Sequence, residues 1–238
     1  MNDCAFCGQE IAINFTLTFL FSFKALKKAA ICEKCLSKFE EITPNKACPA
    51  CSRVQEKKNR CRDCERWQAQ YPEAQFNHQA LFAYNEIARE YMQQLKFQGD
   101  IVLANVLEKE IKRALTPFRK THVIVPVPLS VTSQKERGFN QVEVILQKAG
   151  IQYKSILKQE KEHKKQSEKN RKERLALKQP FQLKQHEFIK KSIEKPILIV
   201  DDVYTTGRTL LHARFLIEEY QKEYFKKSLP IQTFSFFR

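Results

Sequence analysis

The 238-residue sequence predicts an α/β fold, with a mainly parallel sheet flanked by helices, preceded by a small cysteine-rich region. Three observations point there. All eight cysteines lie before Trp67 and none follows it. Beyond Trp67, short apolar runs alternate with segments of helical pattern, the signature of βαβ units. One such run, residues 197–200, ends in two acids and a glycine-containing turn that opens a helix.

Composition narrows the possibilities. A hydrophobic fraction of 42% over this length allows one sizeable packed domain and a small one. Only 5 glycines and 9 prolines argue against long disordered tracts. The formal charge of +15 favours polyanionic partners such as nucleic acid, phosphorylated ligands or an acidic protein; a lysine-rich solvated surface is the plain alternative. The most apolar stretch, residues 11–23, is too short to cross a bilayer, and no basic-then-apolar leader precedes Cys4. No membrane span is expected, and the expected location is the cytoplasm. Thiols stay reduced there, so the cysteines read as metal ligands rather than disulfides.

Taken in order, residues 1–70 form the cysteine-rich region and residues 71–238 the α/β domain, with the boundary near residues 67–73. Residues 11–23 alternate strictly, with Ile11, Ile13, Phe15, Leu17, Phe19, Phe21 and Phe23 on one face, which predicts β structure. Residues 80–83 read as a strand. Asn85 can cap a helix running through Tyr91 to Phe97, Gly99 breaks it, and Asp100 can cap a further helix to Leu115. Residues 122–126 (HVIVP) form a short buried strand, and residues 138–149 a helix. Residues 197–200 are the next strand, with a helix after Gly207. Residues 230–237 alternate and form another strand.

The cysteines fall in four Cys-x-x-Cys pairs: Cys4 and Cys7, Cys32 and Cys35, Cys48 and Cys51, Cys61 and Cys64. Two thiolates so spaced grip one zinc from a tight turn, and two pairs complete a closed, structural, tetrahedral site. Four pairs can hold two zinc ions. Pairing of neighbours is the simpler arrangement, and a cross-braced one has the same spacing. Zinc would also supply folding energy that so small a core lacks.

The string at residues 197–209 (ILIVDDVYTTGRT) suits a sugar phosphate. The end of a parallel strand faces the crevice where α/β proteins bind ligands. Free N–H groups at a helix N-terminus attract phosphate. Thr205, Thr206 and Thr209 add hydroxyls, and Gly207 lets the backbone approach closely. Asp201 and Asp202 can accept hydrogen bonds from two vicinal ribose hydroxyls. A buried strand followed by an Asp turn and a capped helix is the bland reading of the same residues.

This string resembles the phosphoribosyl-diphosphate (PRPP) signature of type I phosphoribosyltransferases. Over nearly its full length, the chain resembles the ComF family. Four landmarks match in order: the cysteine pairs, VIVPVPL at 123–129, RGFNQ at 137–141, and the PRPP string. The resemblance implies a type I phosphoribosyltransferase-like domain behind a zinc-ribbon-like one. It implies that Asp201 and Asp202 bind the ribose, and that Thr205, Thr206, Gly207, Arg208 and Thr209 cradle the 5′-phosphate. Magnesium would bridge diphosphate and ribose oxygens, with residues 126–128 near the diphosphate and Arg137 adding charge. The family pattern of Gln, Arg and Phe is met by Gln166, Arg174 and Phe181, in a loop that closes over PRPP. Leu177 stands where Asn is usual, and Lys169 where Leu is.

Residues 154–195 are densely basic. Lys164, Lys165 and Arg171 are candidates for contacting single-stranded DNA through its phosphates, with strongly salt-dependent affinity. A solvated loop is the alternative, and sparse aromatics give no base-stacking platform. The resemblance implies a role in DNA uptake during natural transformation, assisting internalisation of single-stranded DNA. The implied partner is a ComFA-type helicase ATPase, at the inner face of the membrane. A different class of reading is an active phosphoribosyltransferase, transferring ribose 5-phosphate from PRPP to a nitrogen nucleophile. A third is a structural adaptor between helicase and membrane machinery. No residue of the sequence stands out as a general base.

Overall fold

The computed structural model describes residues 3–11, 29–72, 76–98, 101–159, 179–184, 194–226 and 229–238. Among them, four parallel strands form the main sheet in the order β1-β6-β5-β2: β1 His78–Phe82, β2 Val123–Pro126, β5 Ile197–Val203 and β6 Ile231–Phe237. A short antiparallel pair, β3 Leu157–Gln159 and β4 Phe181–Leu183, stands apart. The central strands β5 and β6 are almost wholly buried, as near-continuous apolar runs in a parallel sheet must be. This is the α/β architecture expected of the sequence.

The helices divide between the two faces. On one face, α3 Glu86–Gln93, α4 Glu108–Leu115 and α6 Gln141–Lys148 bury Tyr91, Met92, Ile111, Leu115, Ile145 and Leu146 against Ile124, Leu198, Val200, Phe234 and Phe236. On the other, α7 Arg208–Phe225 and the β3–β4 pair bury Leu210, Ala213, Ile217, Leu157 and Phe181 against Val125, Ile197, Ile199 and Ile231. The split follows the period of two along each strand.

Each face also receives one set of cysteines. Cys4 and Cys35 join the first core, together with Phe39, whose ring lies 5.8 Å from Phe82 and 5.9 Å from Tyr91. Cys48, Cys51, Cys61 and Cys64 join the second. The cysteine-rich region thereby covers the free edge of β1. Ala50 O accepts from His78 N, Ser52 Oγ donates to His78 O and accepts from Ala80 N, and Ala83 N donates to Glu40 O. An edge strand left with unpaired N–H and C=O groups would invite pairing with other chains.

Several local expectations need correction. Gly138 does not start a helix. It sits at φ 74° as the left-handed C-cap of a separate helix, α5 Val131–Arg137, and Asn140 caps the next one. The segment before Leu115 is a 3₁₀ stretch, Ile101–Asn105, followed by α4, whose N-cap is Leu107 without a side-chain bond. Strand β5 runs on through both aspartates to Val203. Asn85 does cap α3, accepting from Ala88 N, and the helix widens into a π turn over Gln94–Gln98. The alternating run beyond Ile11 lies outside the described residues.

Candidate functional site

The two cysteine clusters share one plan. The first pair of each sits in a backbone knuckle: Cys4 N to Gln9 O and Gly8 N to Cys4 O in one, Cys48 N to Arg53 O and Ser52 N to Cys48 O in the other. The residue after the second cysteine takes the left-handed conformation in both, Gly8 at φ 67° and Ser52 at φ 59°. The second pair opens a helix. Cys32 is the N-cap of α1 Glu33–Leu36, and Cys61 is the N-cap of α2 Arg62–Gln70.

Neighbouring pairs converge: Cys4, Cys7, Cys32 and Cys35 in one cluster, Cys48, Cys51, Cys61 and Cys64 in the other. All sulfurs within a cluster lie within 4.8 Å of one another. Cys48 to Cys64 is 3.8 Å, Cys51 to Cys61 is 3.6 Å and Cys7 to Cys32 is 3.8 Å. Zinc at about 2.3 Å from four sulfurs sets them about 3.8 Å apart, so the residues fit the ion. Backbone N–H groups already point at the sulfurs, Cys32 N at Cys4 Sγ and Cys61 N at Cys48 Sγ. In the second cluster a hydrogen bond from Cys64 pulls the Cys51 thiol down to about 4, while the same contact and burial push Cys64 up. Crowded thiols dividing charge this way are the donor set a soft divalent cation takes.

The acids stand at the C-terminal end of β5. In register, Asp201 faces Ser235 of β6, so Asp202 belongs to the opposite, α6-bearing face. Asp202 is only 7% exposed. Its Oδ1 accepts from Val203 N at 2.6 Å, and its Oδ2 receives both Gln141 Nε2 at 2.7 Å and Lys96 Nζ at 2.6 Å. Asp201 Oδ1 accepts from Asp202 N at 2.9 Å. Burial, and then the neighbouring Asp202 carboxylate, push Asp201 up to about 8.

The RGFNQ motif braces these acids. Gly138 ends α5 and turns the chain. Asn140 accepts from Val142 N, capping α6, and donates to Val127 O in the VPVPL stretch at 2.9 Å. Gln141, 4% exposed, reaches Asp202. Arg137 Nη1 donates to Gln141 Oε1 at 3.4 Å, which orients the Gln141 amide with its NH₂ toward the carboxylate. The motif thus ties together the strand β2 exit, the acids and an arginine.

After Val203 the chain turns through Tyr204 and two exposed threonines, Thr205 and Thr206, to Gly207 at φ 80°, the N-cap of α7. A Cβ on Gly207 would meet Tyr204 Oη at 2.2 Å, so only glycine fits over the tyrosine ring. Arg208 and Thr209 are exposed in the first turn, where N–H groups have no intrahelical partner. Tyr204 rests on His78, with ring centroids 4.3 Å apart, and lies under the Arg238 guanidinium at 4.6 Å.

Asp201, Asp202, Thr205, Thr206, Gly207, Arg208 and Thr209 therefore fall on one strand–turn–helix junction, and Arg137 adjoins it through Gln141. Lys164, Lys165, Arg171 and Arg174 lie outside the described residues, as do Gln166, Lys169 and Leu177. They fall in residues 160–178, between β3 and β4. Sequence reasoning missed Lys96. Its signal was a lysine four residues after Met92, continuing the buried stripe of Ile87, Ala88, Tyr91, Met92 and Leu95.

The strand order, the acid-ending strand and the glycine-capped turn into a long helix define an α/β protein with a parallel four-stranded sheet and two four-cysteine clusters that could hold metal ions. Two relatives place it more closely. The chain is 34% identical over 218 residues to Competence protein ComFC of Streptococcus pneumoniae, covering 91% of this chain and 93% of that one. It is 32% identical over 223 residues to Competence protein ComFC of Bacillus subtilis, covering 91% and 89%. No family model matches it. The chain belongs to the ComFC family of competence proteins. Among the described residues, no helix is long and apolar enough to cross a membrane.

Proposed function

We propose that this chain serves natural competence, binding PRPP or a related sugar phosphate at residues 201–209 while single-stranded DNA is taken in. The competence role rests on the ComFC relatives. The ligand reading rests on one observation above all: two adjacent carboxylates at the end of β5 lead through a glycine-capped turn into the N-terminus of an 18-residue helix. That order sets diol acceptors and phosphate donors one turn apart.

In this reading the hydroxyls of the ribose donate to Asp201 and Asp202. The 5′-phosphate takes the Thr205, Thr206 and Thr209 hydroxyls and the first-turn N–H groups of α7. Lys96, already paired with Asp202, and Arg137, linked to Asp202 through Gln141, supply positive charge toward the diphosphate. Magnesium, a hard cation that takes oxygen ligands, would accompany the diphosphate and neutralise it. The DNA-facing role falls to Lys164, Lys165 and Arg171 by sequence alone, and the ATPase partner is of the ComFA helicase type.

Calorimetry with PRPP and magnesium tests this. Wild type binds, and Asp201→Asn with Asp202→Asn abolishes binding while zinc content is kept; unchanged affinity in that variant would sink the site assignment. Diphosphate release, followed in parallel with a panel of bases, ammonia and DNA, separates a binder from a transferase.

A further inference from the structure

The second cysteine centre touches the phosphate turn directly. The Arg238 Nη2 donates to Cys51 Sγ at 3.6 Å. Its Nη1 donates to Tyr204 O at 3.3 Å and to Thr205 O at 3.1 Å, and its guanidinium covers the Tyr204 ring. One planar fork thus joins a metal-ligand sulfur to the two residues that enter the turn. A second tie comes from α2, the helix that Cys61 caps and that carries Cys64. Trp67 Nε1 donates to Thr206 O at 2.8 Å. Three consecutive residues of the turn, 204 to 206, are therefore held by their carbonyls from the cysteine side.

Pinning carbonyls fixes the direction of the N–H groups that follow, because each peptide is planar. With the oxygens of Thr205 and Thr206 turned toward Arg238 and Trp67, the N–H groups of Thr206 and Gly207 face the other way, the side on which an anion sits at the start of α7. If Cys51 lost its metal and moved, Arg238 would lose its sulfur partner and α2 its anchor, and the turn would lose its fixed orientation.

We infer that Arg238 and Trp67 are positioning residues that couple metal occupancy of the Cys48–Cys51–Cys61–Cys64 centre to anion binding at residues 205–209. The inference rests on the phosphate-site reading above. The coupling is reciprocal by necessity: metal tightens the anion by the same factor as the anion tightens the metal. Outer partners of metal ligands change metal affinity by about 10- to 100-fold when removed. The other centre, packed in the opposite core with Cys4 and Cys35, supplies an internal control.

The test uses the full zinc-loaded chain. Zinc release to a colorimetric chelator is followed with and without ribose 5-phosphate, whose binding is measured separately by calorimetry. The expected result is two kinetic classes of zinc. Ribose 5-phosphate slows one class by about five-fold or more, a typical coupling, and leaves the other unchanged. Arg238→Met weakens ribose 5-phosphate binding and abolishes the protection. Trp67→Phe, which deletes one N–H and keeps the ring packing, reduces it. If ribose 5-phosphate binds but protects neither class, or both equally, the coupling is wrong while the phosphate site stands. If it does not bind wild type at all, the phosphate site itself fails and takes this inference with it.

Discussion

Gly207→Ala offers a quantitative probe of the turn between β5 and α7. Two separate costs arise. At φ 80° a Cβ costs about 1–2 kcal/mol through its clash with the local backbone. The added methyl would also lie 2.2 Å from Tyr204 Oη and 2.5 Å from Tyr204 Cζ. Tyr204 has little room to yield, since the His78 ring and the Arg238 guanidinium both pack against it. Overpacking of this kind adds about 1–3 kcal/mol. Urea denaturation should therefore show Gly207→Ala destabilised by about 2–5 kcal/mol. Removing the ring separates the parts: in a Tyr204→Ala background the steric cost disappears and only the backbone cost remains. The double-mutant cycle should show a coupling of about 1–3 kcal/mol. Additivity to within about 0.5 kcal/mol would refute the claim that the ring dictates glycine here.

Further outcomes concern three groups near the turn, Lys96, Asp201 and His78. Lys96→Met leaves Asp202 with Gln141 and Val203 N but no cation, and should cost about 1–3 kcal/mol in thermal or urea unfolding, less than a wholly buried pair because Lys96 is 21% exposed; no loss would show the pair to be decorative. Asp201 is pushed up to about 8 by burial and Asp202, so the folded chain holds a proton that the unfolded chain releases near pH 4. Its contribution to stability is present at low pH and falls as pH rises from about 4 to 8, and Asp201→Asn should flatten that slope. In the same window, the proposed binding of ribose to the ionised acid should release a proton, seen as buffer-dependent calorimetric enthalpy that Asp201→Asn removes. His78 is shifted the other way, down to about 3 by burial and Arg238. It favours folding above about pH 6.5 and loses that advantage as pH falls toward 3. Wild type minus His78→Gln should therefore show a stability slope approaching about 1.4 kcal/mol per pH unit between pH 6 and 5, and parallel curves would show that His78 protonates in place.

Why some of this was legible in the sequence and some was not has physical reasons. The junction at 197–209 was readable because strand, acids, turn and cap are contiguous and each constrains its neighbour. The four cysteine pairs were readable as metal ligands, but their partnership was not, since spacing alone permits two arrangements. Packing decides it: Cys4 and Cys35 enter one core and the remaining set enters the other. Gly138 was misread because a glycine between two helical patterns serves either; its left-handed φ and the Asn140 cap settle the matter. The β3–β4 pair has three residues in each strand, too few for a period of two to show. Lys96, Trp67 and Arg238 act on residues far along the chain, and no local pattern encodes such contacts.

The acids are the place where folding and binding make opposite demands. Folding favours a neutral Asp201, because a second carboxylate at the end of a buried strand is costly. Hydroxyl or cation binding favours the charged form. The chain meets both by dividing the work. Asp202 is held fast, with Lys96 and Gln141 converging on one oxygen and Val203 N bonded to the other. In the proposed reading, Asp201, bonded through one oxygen to Asp202 N, is the member left to exchange a proton for a ligand. The RGFNQ motif then has a mechanical meaning. Arg137 sets the amide of Gln141, Gln141 sets Asp202, and Asn140 holds the β2 exit at Val127, so a shift at any of the three positions is felt at the carboxylates. A motif that lies far from the acids in sequence is thus part of the same site, and substitutions within it should alter ligand binding before they alter the fold.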